Sequence, residues 1–262
     1  MYKREIRLVI SGTYSTGKTT TATALSIATG IPLINALSAR EILTEIYPGR
    51  RFQDMNATEL MTLGLKRFEE RIREETILYK ENSSFISDGS VLNEWIYGTV
   101  RLKIGLNPGS RFIHRLSKAI LGIPGKSFYR KYMDAYGQVA KMHSKMWYTD
   151  VVHLPVEFAM APDGHRPVSE KYRTLSDLEI QEGFAAIGKQ PELVTGSQEE
   201  RLEKIIKHYD LPIVVPIKEA VAKAEEIIAS NREAVSKRII EQYKEPSLKE
   251  KVKFLTEFQE IR

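Results

Sequence analysis

Gly12-Thr13-Tyr14-Ser15-Thr16-Gly17-Lys18-Thr19 fits the pattern G-x-x-x-x-G-K-[ST]. This stretch constrains the fold tightly, because the pattern works only between a buried strand and the first turn of a helix. Its flanks comply. Ile6, Leu8, Val9 and Ile10 form a short apolar run before it, and residues 18–29 carry Ala22, Ala24, Leu25, Ile27 and Ala28 at helical spacing. Strand, glycine turn and helix start together aim main-chain N–H groups and the positive end of a helix dipole at phosphate oxygens. Gly12 and Gly17 permit backbone angles and close approach that a side chain would block. Lys18 sets a compact positive charge between the β- and γ-phosphates, and the Thr19 hydroxyl can ligate Mg²⁺. The expected ligands are ATP, with GTP as the alternative, and Mg²⁺. The cofactor-binding residues would be Gly12, Thr13, Tyr14, Ser15, Thr16, Gly17, Lys18, Thr19 and Thr20.

The chain has 262 residues, ample for one large domain or a domain with an extension. With no cysteine it has no disulfides, thiolate metal sites or cysteine nucleophiles. No uninterrupted apolar run approaches bilayer length, and the N-terminus enters the first strand almost at once, so a cytoplasmic location is expected. The net charge of +5 is unevenly spread. Arg101, Lys103, Arg111, Arg115, Lys118, Lys126, Arg130, Lys131, Lys141 and Lys145 stand against one acid, Asp134. Such a block attracts anions.

The periodicity predicts strands alternating with helices. Strands are expected at residues 31–35, 84–88, 151–156 and 193–197, and helices at 38–46, 57–80, 91–104, 174–187 and 199–208. The fold class is therefore α/β, a phosphate-loop parallel sheet with helices on both faces and ligands at the strands' C-terminal ends. Residues 107–149 read as a basic helical insertion in a domain spanning 1–211. Residues 212–262 read as a helical extension, with helices at 217–243 and 247–260 separated by Pro246.

Asp88 ends the strand Phe85-Ile86-Ser87-Asp88. There a carboxylate can hold Mg²⁺ through water or accept a proton from a substrate hydroxyl. It could also cap the following helix, unless Ser90 does so. A GTPase would need an Asn/Thr-Lys-x-Asp motif, and the chain has none. Asp134-Ala-Tyr-Gly137 matches D-x-x-G but lies in the insertion, away from any strand end. A motor or unfoldase ATPase would want Asp-Glu where this chain has Asp88-Gly89. These absences favour phosphoryl transfer to a small acceptor.

The order of segments resembles the nucleoside/nucleotide-kinase branch of the phosphate-loop fold. More narrowly, it resembles the AAA-labelled, kinase-like ATP-binding family that includes nicotinamide riboside kinase domains. Five pieces carry the resemblance across about residues 5–209: Gly12 to Thr19, Ala39-Arg40-Glu41-Ile42-Leu43, Phe85 to Ser90, Asp163-Gly164-His165-Arg166-Pro167 ahead of Tyr172-Arg173, and Leu193 to Ser197 before Glu200-Arg201-Leu202. The resemblance implies that Arg40 lies on the acceptor side, that Asp88 is the strand-three acid, and that Arg166 and Arg173 belong to a lid over ATP. It also implies that Thr195, Gly196 and Ser197 skirt the adenine. Two departures stand out. Asn35-Ala36-Leu37-Ser38 occupies a place where relatives often carry glutamate, which shifts proton acceptance to Asp88. Asp88-Gly89-Ser90 lacks the arginine often found in the middle of this tripeptide, so Arg166 or the insertion would have to supply that charge.

Asn93, Glu94 and Tyr97 follow Asp88 on a helix and would face the acceptor. The five histidines show no metal-ligand spacing. The expected function is phosphotransfer from ATP to a hydroxyl of a small molecule that is nucleoside-like, nucleotide-like or a natural product. Lys18, Asp88, Arg166 and Arg173 would be catalytic, Thr19 and Asp88 on the metal, and Arg40, Asp88, Asn93 and Tyr97 on the acceptor. The alternative is a nucleotide-dependent switch acting on a protein or an anionic lipid through the insertion, as a peripheral membrane contact. No DNA partner is expected, and the oligomeric state is left open.

Overall fold

Both faces of a parallel sheet are buried, so its strands must be mainly apolar in their middles and sort those side chains by alternation. In the computed structural model, which describes residues 5–34, 39–48, 55, 57–104, 123–157 and 170–242, this is what the strands do. Strand β1 (Arg7–Gly12) sends Leu8 and Ile10 to one core and Val9 to the other. Strands β3 (Phe85–Asp88) and β4 (Asp150–Leu154) repeat the pattern, with Ile86, Val152 and Leu154 on the first face and Phe85 and Val151 on the second.

Two short strands, β2 (Leu33–Ile34) and β5 (Glu192–Leu193), complete a five-stranded sheet in the order β2-β3-β1-β4-β5. All four pairings are parallel. Both short strands are briefer than their apolar runs suggested. Residues 35–38 lie outside the described part, and β5 gives way to a capped helix start. The chain leaves β1 for one edge and later crosses to the other, so the crevice beyond the C-terminal end of β1 is the sheet's switch point, where such folds bind ligands.

Helix α1 (Lys18–Thr29) packs its alanines and Leu25 on the first face. Helices α2 (Ala39–Ile46), α3 (Ala57–Asn82) and α4 (Val91–Ile104) follow, with α2 against α3 through Ile42, Leu43 and Leu63. The N-cap of α4 is Ser90, whose Oγ accepts from the Asn93 N–H at 3.2 Å, so Asp88 does not serve as the cap.

The described part of the insertion is a long helix, α5 (Ile123–Trp147); residues 105–122 are outside the described part. Pro124 and Gly125 fall in its first turn, where a missing N–H breaks no helical hydrogen bond. Helix α5 packs on α4 at very close range. A Cβ added at Gly137 would lie 2.5 Å from the Trp95 indole, which donates to Met133 O at 2.7 Å. Gly137→Ala therefore overpacks a rigid ring, costing about 1–3 kcal/mol against about 1 kcal/mol gained in helix propensity. The expected net loss of about 1 kcal/mol is read as a lower denaturant midpoint; an unchanged midpoint would show that the indole swings aside freely.

Helices α6 (Glu170–Ala186) and α7 (Gln198–Tyr209) flank the last strand. Helix α8 (Ile217–Gln242) lays Ala220, Val221 and Ala224 on the first core, so this part of the extension is packed on the sheet domain. The helix expected at 247–260 lies outside the described residues. Among the described residues no helix is long and apolar enough to cross a membrane.

Candidate active site

The turn between β1 and α1 is an open nest. Gly12, Ser15 and Gly17 have φ of 145°, 59° and 87°, and Gly17 caps α1 with no side chain on the helix N–H groups. A Cβ at Gly12 would come within 2.6 Å of Leu154 O and 2.7 Å of Thr16 Oγ1, and one at Gly17 within 2.7 Å of Gln198 Nε2. Only glycine fits these two places, which is the physical content of the motif. Thr16 Oγ1 and Lys18 Nζ donate to Thr13 O at 3.0 and 2.5 Å. The Thr13 hydroxyl is buried with no hydrogen-bond partner among the described residues. A helix N-terminus that lacks a side-chain cap, with a lysine beside it, suits an anion.

Thr19, exposed at the start of α1, donates its hydroxyl to Asp88 Oδ2 at 2.7 Å. The register Ile10↔Asp88 places that carboxylate beside the loop. A hydroxyl and a carboxylate are hard oxygen donors of the kind Mg²⁺ prefers, so the two residues fit the expected ion. Thr20 is half-buried in the same turn.

The underside of the loop is clamped by two buried arginines. Arg173 of α6 is fully buried and donates from Nε to Tyr14 O at 2.9 Å and from Nη2 to Ser15 O at 3.5 Å. It therefore holds the loop's main chain from within a helix. Arg201 of α7 donates to Thr16 O at 2.7 Å and pairs with Glu157, whose carboxylate also accepts from Gly196 N at 3.1 Å. Thr195, Gly196 and Ser197 are thus tied to the loop. Lys204 holds Thr195 O at 2.8 Å, and Ser197 forms a capping box with Glu200.

A small cavity of about 80 Å³ opens beside the loop. Tyr14 of the loop itself forms one wall and stacks on Tyr97 of α4 at 4.8 Å between centroids. Tyr97 also donates to Gly12 O at 2.8 Å. The other walls are Leu60, Leu63 and Arg67 of α3, Glu94 and Arg101 of α4, and Tyr129, Tyr132, Met133 and Tyr136 of α5. Glu94 pairs with Arg67, and the Tyr136 hydroxyl is buried with no hydrogen-bond partner among the described residues. Burial raises the Tyr132 phenol to about 12 and pushes Tyr97 and Tyr136 up as well. These phenols stay neutral at physiological pH and offer hydrogen bonds rather than bases.

Of the residues expected at the acceptor, Tyr97 and Glu94 line this cavity. Asn93 turns away, donating to Ser11 Oγ at 3.0 Å and accepting from Ser90 at 2.5 Å. Arg40 falls in α2, but its side chain lies outside the described part, as does all of 158–169 with Arg166.

Sequence reading missed Arg67, Arg71, Glu157, Arg201 and the α5 tyrosines. Helix α3 is so rich in charge that its inward arginines read as solvated. The α5 tyrosines do recur at 129, 132 and 136, a helical spacing that marks one face. Arg71 is buried and donates to Ser87 Oγ, Asp88 O and Gly89 O at 2.8, 3.0 and 3.2 Å. Burial opposes its charge, but Tyr148, Glu94, Glu75 and Asp88 together raise its pKa above the ordinary arginine value.

A family model for the AAA domain matches residues 7–201. The chain belongs to that family. No curated protein sequence matches this AAA-domain chain. Among solved structures, deoxyadenosine kinase from M. mycoides with bound dATP superimposes with a TM-score of 0.55 at 14% identity, covering 78% of this chain and 100% of that one. Another structure of deoxyadenosine kinase from M. mycoides, with products dCMP and a flexible dCDP, gives 0.47 at 12% identity over 86% and 100% of the two chains. The AAA-domain chain has the phosphate-loop nucleoside-kinase fold.

Proposed function

We propose that this AAA-domain protein is an ATP- and Mg²⁺-dependent phosphotransferase that moves the γ-phosphoryl group to a hydroxyl of a small, nucleoside-like molecule. One observation carries the reading: the phosphate loop supplies Tyr14 to the wall of a tyrosine-lined cavity, so donor and acceptor sites share a side chain. Flat rings stack on such walls, and the Glu94–Arg67 pair with the buried Tyr136 hydroxyl offers a hydrogen-bonding edge. The likeness to a deoxyadenosine kinase supports the same class. In this reading residues 1–211 form the catalytic unit and 212–262 its helical extension.

The loop amides and Lys18 hold the triphosphate. Asp88 orients the acceptor hydroxyl and takes its proton as the oxygen attacks γ-phosphorus and the bond to the β–γ bridging oxygen breaks. Thr19 and, through water, Asp88 would hold Mg²⁺, which supplies charge neutralisation at the phosphates when bound. Arg173 contributes by fixing the loop, whose carbonyls it grips, and Arg166 is assigned the lid charge. Thr195, Gly196 and Ser197 are assigned the adenine's edge, and Arg40 the acceptor's.

The test incubates the protein with labelled ATP, Mg²⁺ and a panel of deoxyadenosine, other nucleosides, nucleotides and antibiotics. Acceptor-dependent ADP and a labelled product are expected; calorimetric ATP binding without any acceptor-stimulated ADP would overturn the reading. The second reading, a nucleotide-dependent binding module, draws on the outward face of α5. Phe128, Val139, Met142 and Met146 are exposed there beside Lys131, Lys141 and Lys145. Nucleotide-dependent co-sedimentation with anionic vesicles, without transfer, would favour it.

A further inference from the structure

A guanidinium ion is costly to bury, and one that is buried reports its purpose through the groups that compensate it. Arg71 leaves 6% of its side chain exposed. It sits one helical turn after Arg67 on α3, and its nearest carboxylate in an ion pair, on Glu94, is 3.9 Å away. Its shorter contacts go elsewhere, to the hydroxyl of Ser87 at 2.8 Å, the carbonyl of Asp88 at 3.0 Å and the carbonyl of Gly89 at 3.2 Å. These are three consecutive residues, and the middle one carries the carboxylate that meets Thr19.

The turn needs such a hold. Gly89 stands at φ 78° with no side chain, and a Cβ there would lie 3.8 Å from Arg71 Nη2, so the guanidinium covers the glycine's bare side. On the opposite side the Gly89 N–H donates to Ile10 O at 3.0 Å. Ser87 Oγ donates onward to Gly89 O at 2.9 Å. The turn is therefore gripped from the sheet by main chain and from α3 by one side chain.

We infer that Arg71 is a positioning residue for Asp88, setting the strand-end turn so that the carboxylate points at Thr19 and at the metal they would share. This rests on the phosphotransferase reading for its effect on turnover, but its effect on Mg²⁺ does not need transfer. It also brings a positive charge from α3 to the turn that carries Asp88.

The full-length chain is compared with Arg71→Met, Arg71→Lys and Ser87→Ala. ATP binding is measured by calorimetry across a Mg²⁺ series, and transfer with whichever panel acceptor the wild type uses. In Arg71→Met the Mg²⁺ half-saturation for ATP binding is expected to rise about 10–100-fold, as for loss of a group that orients a metal ligand. Turnover should fall about 100-fold, the scale of an ångström-sized misplacement. ATP affinity at saturating Mg²⁺ should change by less than about twofold, because the phosphate loop is untouched. Arg71→Lys should recover part of both effects, since one charge reaches fewer of the three acceptors. If Arg71→Met does not give a wild-type circular dichroism spectrum, Arg71→Lys and Ser87→Ala carry the test and should show the same Mg²⁺ shift at smaller size. Wild-type Mg²⁺ dependence in the folded variants overturns the inference. A wild type that binds Mg²⁺–ATP and transfers to nothing overturns the phosphotransferase reading instead, and the Mg²⁺ series still decides Arg71.

Discussion

Lys18→Ala is expected to abolish phosphoryl transfer and to leave the fold intact. The side chain is half-buried at the mouth of the nest, with its ammonium 2.5 Å from Thr13 O. It stands at the first residue of α1, whose packing on the sheet runs through Ala22, Ala24, Leu25 and Ala28. Alanine suits a helix start and removes nothing from that core. What disappears is the lysine charge that the proposed mechanism sets beside the β- and γ-phosphates, where negative charge would shift during transfer. Loss of a single positioned donor to such charge costs about 10²–10³ in turnover, and a full positive charge should cost at least as much. Acceptor-dependent ADP release and thermal melting measure the two halves of the claim. Wild-type turnover in the folded variant would contradict the assigned role.

Asp88→Asn is the second large effect. Asparagine has the same shape and can still accept the Thr19 hydroxyl at the 2.7 Å separation seen with Asp88. It cannot take a proton and brings no negative charge to a cation. Loss of a positioned base costs about 10²–10⁴ in rate. Turnover should drop by orders of magnitude, with the melting midpoint near that of the wild type and ATP binding retained at high Mg²⁺. A near-normal rate would move the base elsewhere. The tyrosines around the cavity are poor substitutes, because burial raises Tyr97, Tyr132 and Tyr136 away from the physiological range.

The phosphate loop was legible because its chemistry is local. Eight consecutive residues, an apolar run before them and alanines after them contain nearly all that shapes the nest. The sheet was legible for a related reason: strands buried on both faces carry short apolar runs, and Leu8 to Ile10, Phe85-Ile86 and Val151-Val152 are such runs. The extent of the short strands was not, since two-residue pairings such as that of Leu33 and Ile34 depend on β3, a neighbour that comes later in the chain. The described part of the insertion is helical as its sequence suggested, and Pro124 and Gly125 fall in that helix's first turn.

Beyond the nest, the site depends on which helix face turns inward, and a charged helix carries little phase information. Arg67 and Arg71 look no different along α3 from the exposed Arg73. Asn93 and Glu94 are neighbours in sequence, yet α4 turns one toward Ser11 and the other into the cavity. Arg173 was read as a lid residue and lies fully buried under the loop.

By itself, then, the order of residues determined the phosphate nest, the parallel sheet that presents it and the acid at the end of β3, because those follow from contacts between near neighbours and from burial on two faces. Tertiary structure alone decided that α3 supplies the arginine behind Asp88, that α5 closes the cavity with tyrosines, and that α6 and α7 clamp the loop from below. Such contacts join residues from 16 to 185 positions apart, and only the packing angles of the helices bring them within reach.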